Sequence, residues 1–278
     1  MISVIIPAFN EERTIGHLLD GLVRASDFGD DIEVIVAPNG CVDATADVAR
    51  SYGVTVVEVA TASKTAALNA AETVASGFPR VYLDADIEVT PALVRALGAA
   101  VSQPGVLGAT ARPVVDVSGS TWPVRAYYAI NSRLPVMRGR LFGRGVIAIA
   151  KEARNRFGEF PDIIADDMLL DAVVGAPEKS QVDAPVRVVA PATLPELLRR
   201  VSRSRAGNDQ FWQWVGDHPE VRLADPVPGA SATSWLRDVV LPAPRLWPAG
   251  AVYVVVALLV AVGRRRRGWS VGSGWGRS

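Results

Sequence analysis

Two carboxylates, Asp84 and Asp86, follow directly on the apolar run Val81, Tyr82 and Leu83. If that run is a strand that continues, side chains two residues apart point to the same face and both carboxylates project together. Such a pair suits magnesium or manganese, hard cations that take one or two carboxylate oxygens while substrate phosphates complete the shell. A solvated acidic turn is the other reading of the same three residues. A second acidic pair, Asp166 and Asp167, precedes the apolar MLL, where an aspartate also serves simply as a cap and dipole partner in a first helical turn. The run LLRRVSRSRAGN concentrates arginines, which either brace phosphate oxygens by paired hydrogen bonds or solvate a helix face. His17 and His218 are too few and too far apart for a histidine metal site. The single Cys41 excludes an intrachain disulfide and a cysteine-cluster zinc site, and it fits a reducing compartment.

The elements that must position these residues alternate regularly. Residues 2–6 are an almost continuous apolar, β-branched run closed by Pro7, as expected of a strand covered on both faces. Ile15, Leu18, Leu19, Leu22 and Val23 then recur at the spacing of one helix face. Further strands are expected at 32–36, 54–59 and 81–83, with helices at 44–51 and 64–76 between them. Thr90 and Pro91 supply an N-cap and a first-turn proline for the next helix. Four strand–helix alternations imply an α/β fold with a doubly wound, mainly parallel sheet whose ligands lie at the carboxyl ends of the strands. After Arg112 the order loosens. A helix through Tyr127 and Tyr128, a strand at 146–149, a helix opening near Asp167 and a basic helix at 194–205 are expected there, with Phe211, Trp212 and Trp214 beyond. These are the expected acceptor-binding elements.

Read in order, SVIIPAFNEE, VAPNGCVDAT, SKTAALNAA, LDADIEVTP and ADDMLL resemble a family-2 glycosyltransferase with the GT-A nucleotide-sugar fold, from Ile2 to about Asn208. The resemblance implies that Pro7, Ala8 and Glu12 line the nucleoside pocket and that Asn39 meets the base. It implies that Lys64 serves the donor phosphates, that Asp86 ligates a metal bridging the diphosphate, and that Asp84 holds the ribose or a metal-bound water. Asp167 matches the second acid of the family's Glu-Asp pair. Inverting displacement of a nucleoside diphosphate needs a base opposite the leaving group, and Asp167 is the candidate. Arg203 matches the arginine of the family's QxxRW region and would stabilise the leaving group, with Arg200 as support. The sequence departs from the family at four positions. Pro38 replaces the first acid of an acidic pair, Asn39 is an amide, and Arg200 and Ser204 stand where glutamine and tryptophan are usual. The missing tryptophan argues for transfer of a single sugar rather than processive synthesis.

The 29 basic and 29 acidic residues cancel, so no global field draws the chain to nucleic acid. The organisation expected is a catalytic domain over 1–224, a proline-rich linker over 225–248, an apolar membrane segment over 249–263 and a basic, glycine-rich tail over 264–278. Four arginines and a tryptophan beside the apolar segment resemble a membrane interface. With no room for a signal peptide before Ile2, the amino-terminal part is expected in the cytosol, placing the enzyme at the cytoplasmic face of the cell membrane. The expected partners are a nucleoside-diphosphate sugar, a divalent cation, the membrane, and an acceptor hydroxyl on a cell-envelope or lipid-linked molecule. Two rivals share the fold: a nucleotide-binding scaffold without activity, and a sugar-phosphate nucleotidyltransferase, whose usual glycine- and arginine-rich loop PAFNEERTI lacks.

Overall fold

A computed structural model describes residues 1–221, 223–225 and 233–267, with side chains described as far as 263. In chain order the elements are β1 (Ile2–Ala8), α1 (Ile15–Leu22), β2 (Ile32–Pro38), α2 (Thr45–Arg50), β3 (Thr55–Val56), α3 (Lys64–Val74), β4 (Arg80–Leu83) and α4 (Pro91–Val101). There follow β5 (Gly108–Asp116), α5 (Trp122–Asn131), β6 (Val146–Ile149), α6 (Lys151–Arg154), α7 (Asp166–Val173), β7 (Lys179–Val189), α8 (Leu194–Asp217) and α9 (Trp247–Arg267).

The seven strands form one sheet in the order β3-β2-β1-β4-β6-β5-β7. β1 is parallel to β2 and β4, whereas β6 runs antiparallel to both β4 and β5. Period-two alternation explains the two cores. Val4, Ile6, Val34, Val36, Val81 and Leu83 face α1, α2 and α4. Ile5, Ile35, Tyr82, Ile147 and Ile149 face α3, α7 and Phe211 of α8. Helices on both faces account for the apolar character of the central strands. Because β1, β2 and β4 are parallel, Ala8, Asn39 and Asp84 emerge at one edge of the sheet. The reversed β6 brings its beginning to that same edge, where Leu83 pairs with Val146.

Several expectations shift. The strand expected at 54–59 shrinks to β3 plus a single bridge between Asn39 and Val59. α3 stops at Val74, where Ala75 is extended. The basic helix continues past Arg205 to Asp217, its capping box closed by Thr193 and Glu196. The reading of 225–248 as a linker is corrected where the chain is described. Residues 235–240 form a π-helix whose Val239 and Val240 are buried against Ile130, and α9 has already begun at Trp247. Residues 226–232 of that stretch, and 268–278 of the tail, lie outside the described residues.

Candidate active site

Three elements converge on Lys64. It opens α3 behind the N-cap Ser63, whose hydroxyl accepts from the Ala66 amide at 3.2 Å. Its Nζ lies 2.8 Å from Asp84 Oδ1 at the end of β4 and 3.0 Å from Asp166 Oδ2 at the start of α7. Burial disfavours the Lys64 charge, yet the Asp166, Asp84 and Asp167 carboxylates outweigh it and hold the ammonium well above its ordinary value. Burial pushes the Asp166 carboxyl up to about 6 against the attraction of Lys64, and Asp167 and Asp84 add to the rise. Asp167 is raised for the same first reason, with Lys64 and the Gly143 amide opposing.

The members of each acidic pair differ in access. Asp166 is buried on Lys64, whereas Asp167 is half-buried and accepts from the Gly143 N–H at 2.8 Å. Asp84 is partly open and Asp86 exposed, on a turn closed by the Ile87 N–H donating to the Asp84 carbonyl at 3.1 Å. The Asp84 N–H in turn donates to the Gly145 carbonyl at 2.9 Å. Gly145 has φ +73°, and a Cβ there would stand 2.4 Å from Ile87 Cγ1, so only glycine fits against the turn. The loop Gly143-Arg144-Gly145 therefore touches both acidic pairs. Sequence reasoning passed over it, although two glycines alternating just before a strand were its visible signal.

At the carboxyl ends of β1 and β2, Pro7 and Ala8 are buried. The Asn39 Nδ2 donates to the Ala8 carbonyl at 2.9 Å and to the Ala37 carbonyl at 3.3 Å, which fixes the orientation of the amide. Its Oδ1 is buried and finds no hydrogen-bond partner among the described residues. Glu12 is exposed, and its carboxylate accepts from the Ala44 N–H at 3.0 Å, so it ties the β1 loop to the start of α2. Arg203 is half-buried on α8, one turn before Gly207, which packs against Ile164 and Ala165 just ahead of α7. Arg200 is exposed and donates to the Val189 carbonyl at 3.0 Å, on the β7 side of the helix. Thus Lys64, Asp84, Asp166 and Asp167 form one cluster with Asp86 on the adjoining turn, Asn39 and Ala8 form a second group, and Arg200 is engaged elsewhere.

The donor chemistry fits a hard divalent cation. Asp84 and Asp86 offer only oxygens and reach solvent, and three carboxylates around one ammonium leave surplus negative charge. No group of three or more acidic, histidine or cysteine side chains forms a metal cage among the described residues.

A doubly wound sheet with a carboxylate turn after its fourth strand and an acidic helix start beside it is the arrangement of the GT-A fold. Residues 3–155 match glycosyl transferase family 2, and the chain belongs to that family. Among solved structures it is similar to glucosyl-3-phosphoglycerate synthase from Mycobacterium tuberculosis in complex with uridine diphosphate. That likeness has 27% identity and a TM-score of 0.53, and covers 71% of this chain and 74% of that one. A mannosyltransferase from Pyrobaculum calidifontis, in complex with GDP-Man and Mn2+, shares the fold over 97% of this chain and 81% of its own, at 21% identity and a TM-score of 0.57. Among curated relatives, 4,4'-diaponeurosporenoate glycosyltransferase of Staphylococcus aureus (strain USA300) is 50% identical over 58 residues. The match spans 21% of this chain and only 15% of that protein.

Proposed function

We propose that this protein is an inverting, non-processive glycosyltransferase that moves one sugar from a nucleoside-diphosphate donor to an acceptor hydroxyl at the cytoplasmic face of a membrane. The observation that carries the proposal is the meeting at Lys64 of the carboxylate turn after β4 with the acidic start of α7. It joins a place for a diphosphate to a place for a base. The orphaned Asn39 Oδ1 supports a base that presents an N–H, such as uracil or guanine. Asp86 and Asp84 would hold a divalent cation, whose charge would offset that of the diphosphate as it departs. Lys64 keeps Asp84 and Asp166 in register and adds positive charge beside the phosphates. Asp167, the accessible member of its pair, takes the proton from the acceptor hydroxyl as that oxygen attacks the sugar carbon, while the bond to the diphosphate breaks. Arg203 braces the leaving group from α8.

The relatives with bound UDP or GDP-Man and Mn2+ favour a nucleotide-sugar donor and a divalent cation for this chain as well. The helix over Pro244–Gly263, with mean hydropathy 2.2, supports a membrane site and a lipid-linked or cell-envelope acceptor. The test is turnover. The full chain is incubated with UDP- and GDP-sugars, manganese and detergent-dispersed membrane lipids. Release of nucleoside diphosphate that depends on both cation and lipid is expected. Donor binding without release from any donor would leave a nucleotide-binding scaffold instead, and pyrophosphate release from a nucleoside triphosphate would indicate nucleotidyl transfer.

A further inference from the structure

α9 has two apolar faces, and only one of them is used by the protein. Tyr253 stacks on Tyr127 of α5 with ring centroids 5.1 Å apart, and Val256 is buried among Val124, Tyr127 and Leu197. Gly250 abuts Val240, and the Arg205 guanidinium of α8 donates to the Ala257 carbonyl at 3.3 Å. At 100° per residue, Gly250, Tyr253, Val256, Ala257 and Val260 fall on one side of the helix. Trp247, Ala251, Val255, Leu258, Leu259 and Val262 fall on the other, and all six are exposed. Leu258 alone is 59% exposed. A helix at a water-facing surface carries polar residues on that side, and this one carries none.

Two observations decide what covers this face. By length alone the apolar stretch Pro244–Gly263 could cross a membrane, so its orientation is decided by its neighbours and its flanking charge. The helix is fastened to α5 and α8 through Val252, Tyr253, Val256 and Ala257, so a perpendicular crossing would carry charged α8 toward the hydrocarbon, where arginine is costly. Basic residues stand at both ends: Arg245 is exposed just before the helix, and the sequence places four arginines at 264–267. Exposed Arg199 and Arg200 lie on the neighbouring α8. A crossing helix would send its two ends to opposite faces, only one of which favours arginine. A helix lying in the plane of one leaflet brings both ends to the same anionic headgroups.

We infer that α9 is an interfacial helix that lies in the surface of an anionic bilayer. One face is welded to α5 and α8, and the Trp247–Leu258–Val262 face lies among the acyl chains, without crossing. The inference rests on the membrane reading above and refines it. The catalytic domain is then held rigidly against the surface, so that a lipid-borne acceptor reaches it by lateral diffusion.

Inverted membrane vesicles, cytoplasmic face outward, from cells expressing the full chain with a carboxyl-terminal tag provide the test. An in-plane helix leaves the tag open to added protease without detergent. The double variant L258E/L259E should move to the soluble fraction, lowering the membrane-bound share at least about tenfold, because two exposed leucines no longer enter lipid. It should also keep the melting temperature and cation-dependent donor binding of the parent, since both side chains face away from the protein. A tag protected until detergent is added would overturn the in-plane geometry while leaving the membrane reading intact. A parent chain found soluble would overturn both, and a soluble parent that sediments as a dimer would assign the face to a second copy.

Discussion

Replacing Asp167 by asparagine separates a general base from a helix cap. Asp167 accepts the Gly143 N–H at 2.8 Å, and an asparagine Oδ1 can accept the same bond, so the loop that reaches Asp84 stays in place. The folded-state pKa of Asp167 is raised, chiefly by burial, so its ionised form is held less well in the native protein than in the unfolded chain. A neutral amide should therefore cost little stability, within about 1 kcal/mol, the usual range for a change that breaks no buried network. Donor affinity should also hold, because Lys64, Asp84 and Asp86 are unchanged. What is lost is the proton acceptor. General-base catalysis contributes about a hundred to ten thousandfold, roughly 3–5 kcal/mol of barrier, and sugar transfer should fall by that factor. The pH profile checks the sign. A base works when ionised, so activity is present above its raised pKa and is lost as pH falls through it. The acid limb should lie above the ordinary aspartate value and vanish from the residual activity of the variant. Calorimetry of donor binding and single-turnover product formation read the two properties independently. Transfer at close to the parent rate by Asp167→Asn would refute the assignment and return Asp167 to the role of a cap.

Other perturbations probe the frame around the site. Gly145→Ala forces a side chain to φ +73° and into Ile87, a strain of about 1–3 kcal/mol that should displace the Asp84 turn. The expected result is a lower melting temperature together with weaker manganese-dependent donor binding, and an unchanged donor affinity would show that the loop does not set the turn. Asp171, fully buried one turn beyond Asp167, accepts the Leu141 N–H at 2.7 Å and pairs with Arg140 and Lys179 at 3.1 Å each, while Asp225 bridges the same two cations. Asp171→Asn should cost about 3 kcal/mol in urea unfolding, near the low end for breaking a buried ion pair because Asp225 remains. A loss under ~1 kcal/mol would mean that the cluster does not hold α7 to the 140–145 loop.

The parts of the fold legible in the sequence were those written by burial on both faces. β1, β2, β4 and β6 are apolar runs, and Thr90 caps α4 through the Leu93 amide as its position implied. β5 and β7 were hidden for the opposite reason. GATARPVVD and KSQVDAPVRVV carry prolines and charges because they form the outer parallel pair, half open to solvent, where local propensity yields to pairing. Strand direction left no local mark either, so the reversal of β6 could not be read. In the site, each acidic pair stood out by its place after or before an apolar run. The convergence of both on Lys64 depends on three elements distant in sequence, and no spacing encodes it. The stretch 225–248 reads as a linker because proline and small residues are frequent there, yet within it residues 235–240 form a helix whose Val239 and Val240 pack on Ile130 of α5.

The central claim is that the Asp84–Asp86 turn binds a nucleoside diphosphate through a divalent cation. Titration of the full chain with UDP, GDP and their sugars, with manganese and again with EDTA, tests it most directly when paired with Asp86→Ala. Repulsion between the diphosphate and the surplus carboxylates must be offset by the cation. Binding in manganese, its loss in EDTA and its loss in Asp86→Ala are therefore expected, with the melting temperature of the variant unchanged. Tight binding that survives EDTA, or that Asp86→Ala leaves intact, would contradict the account.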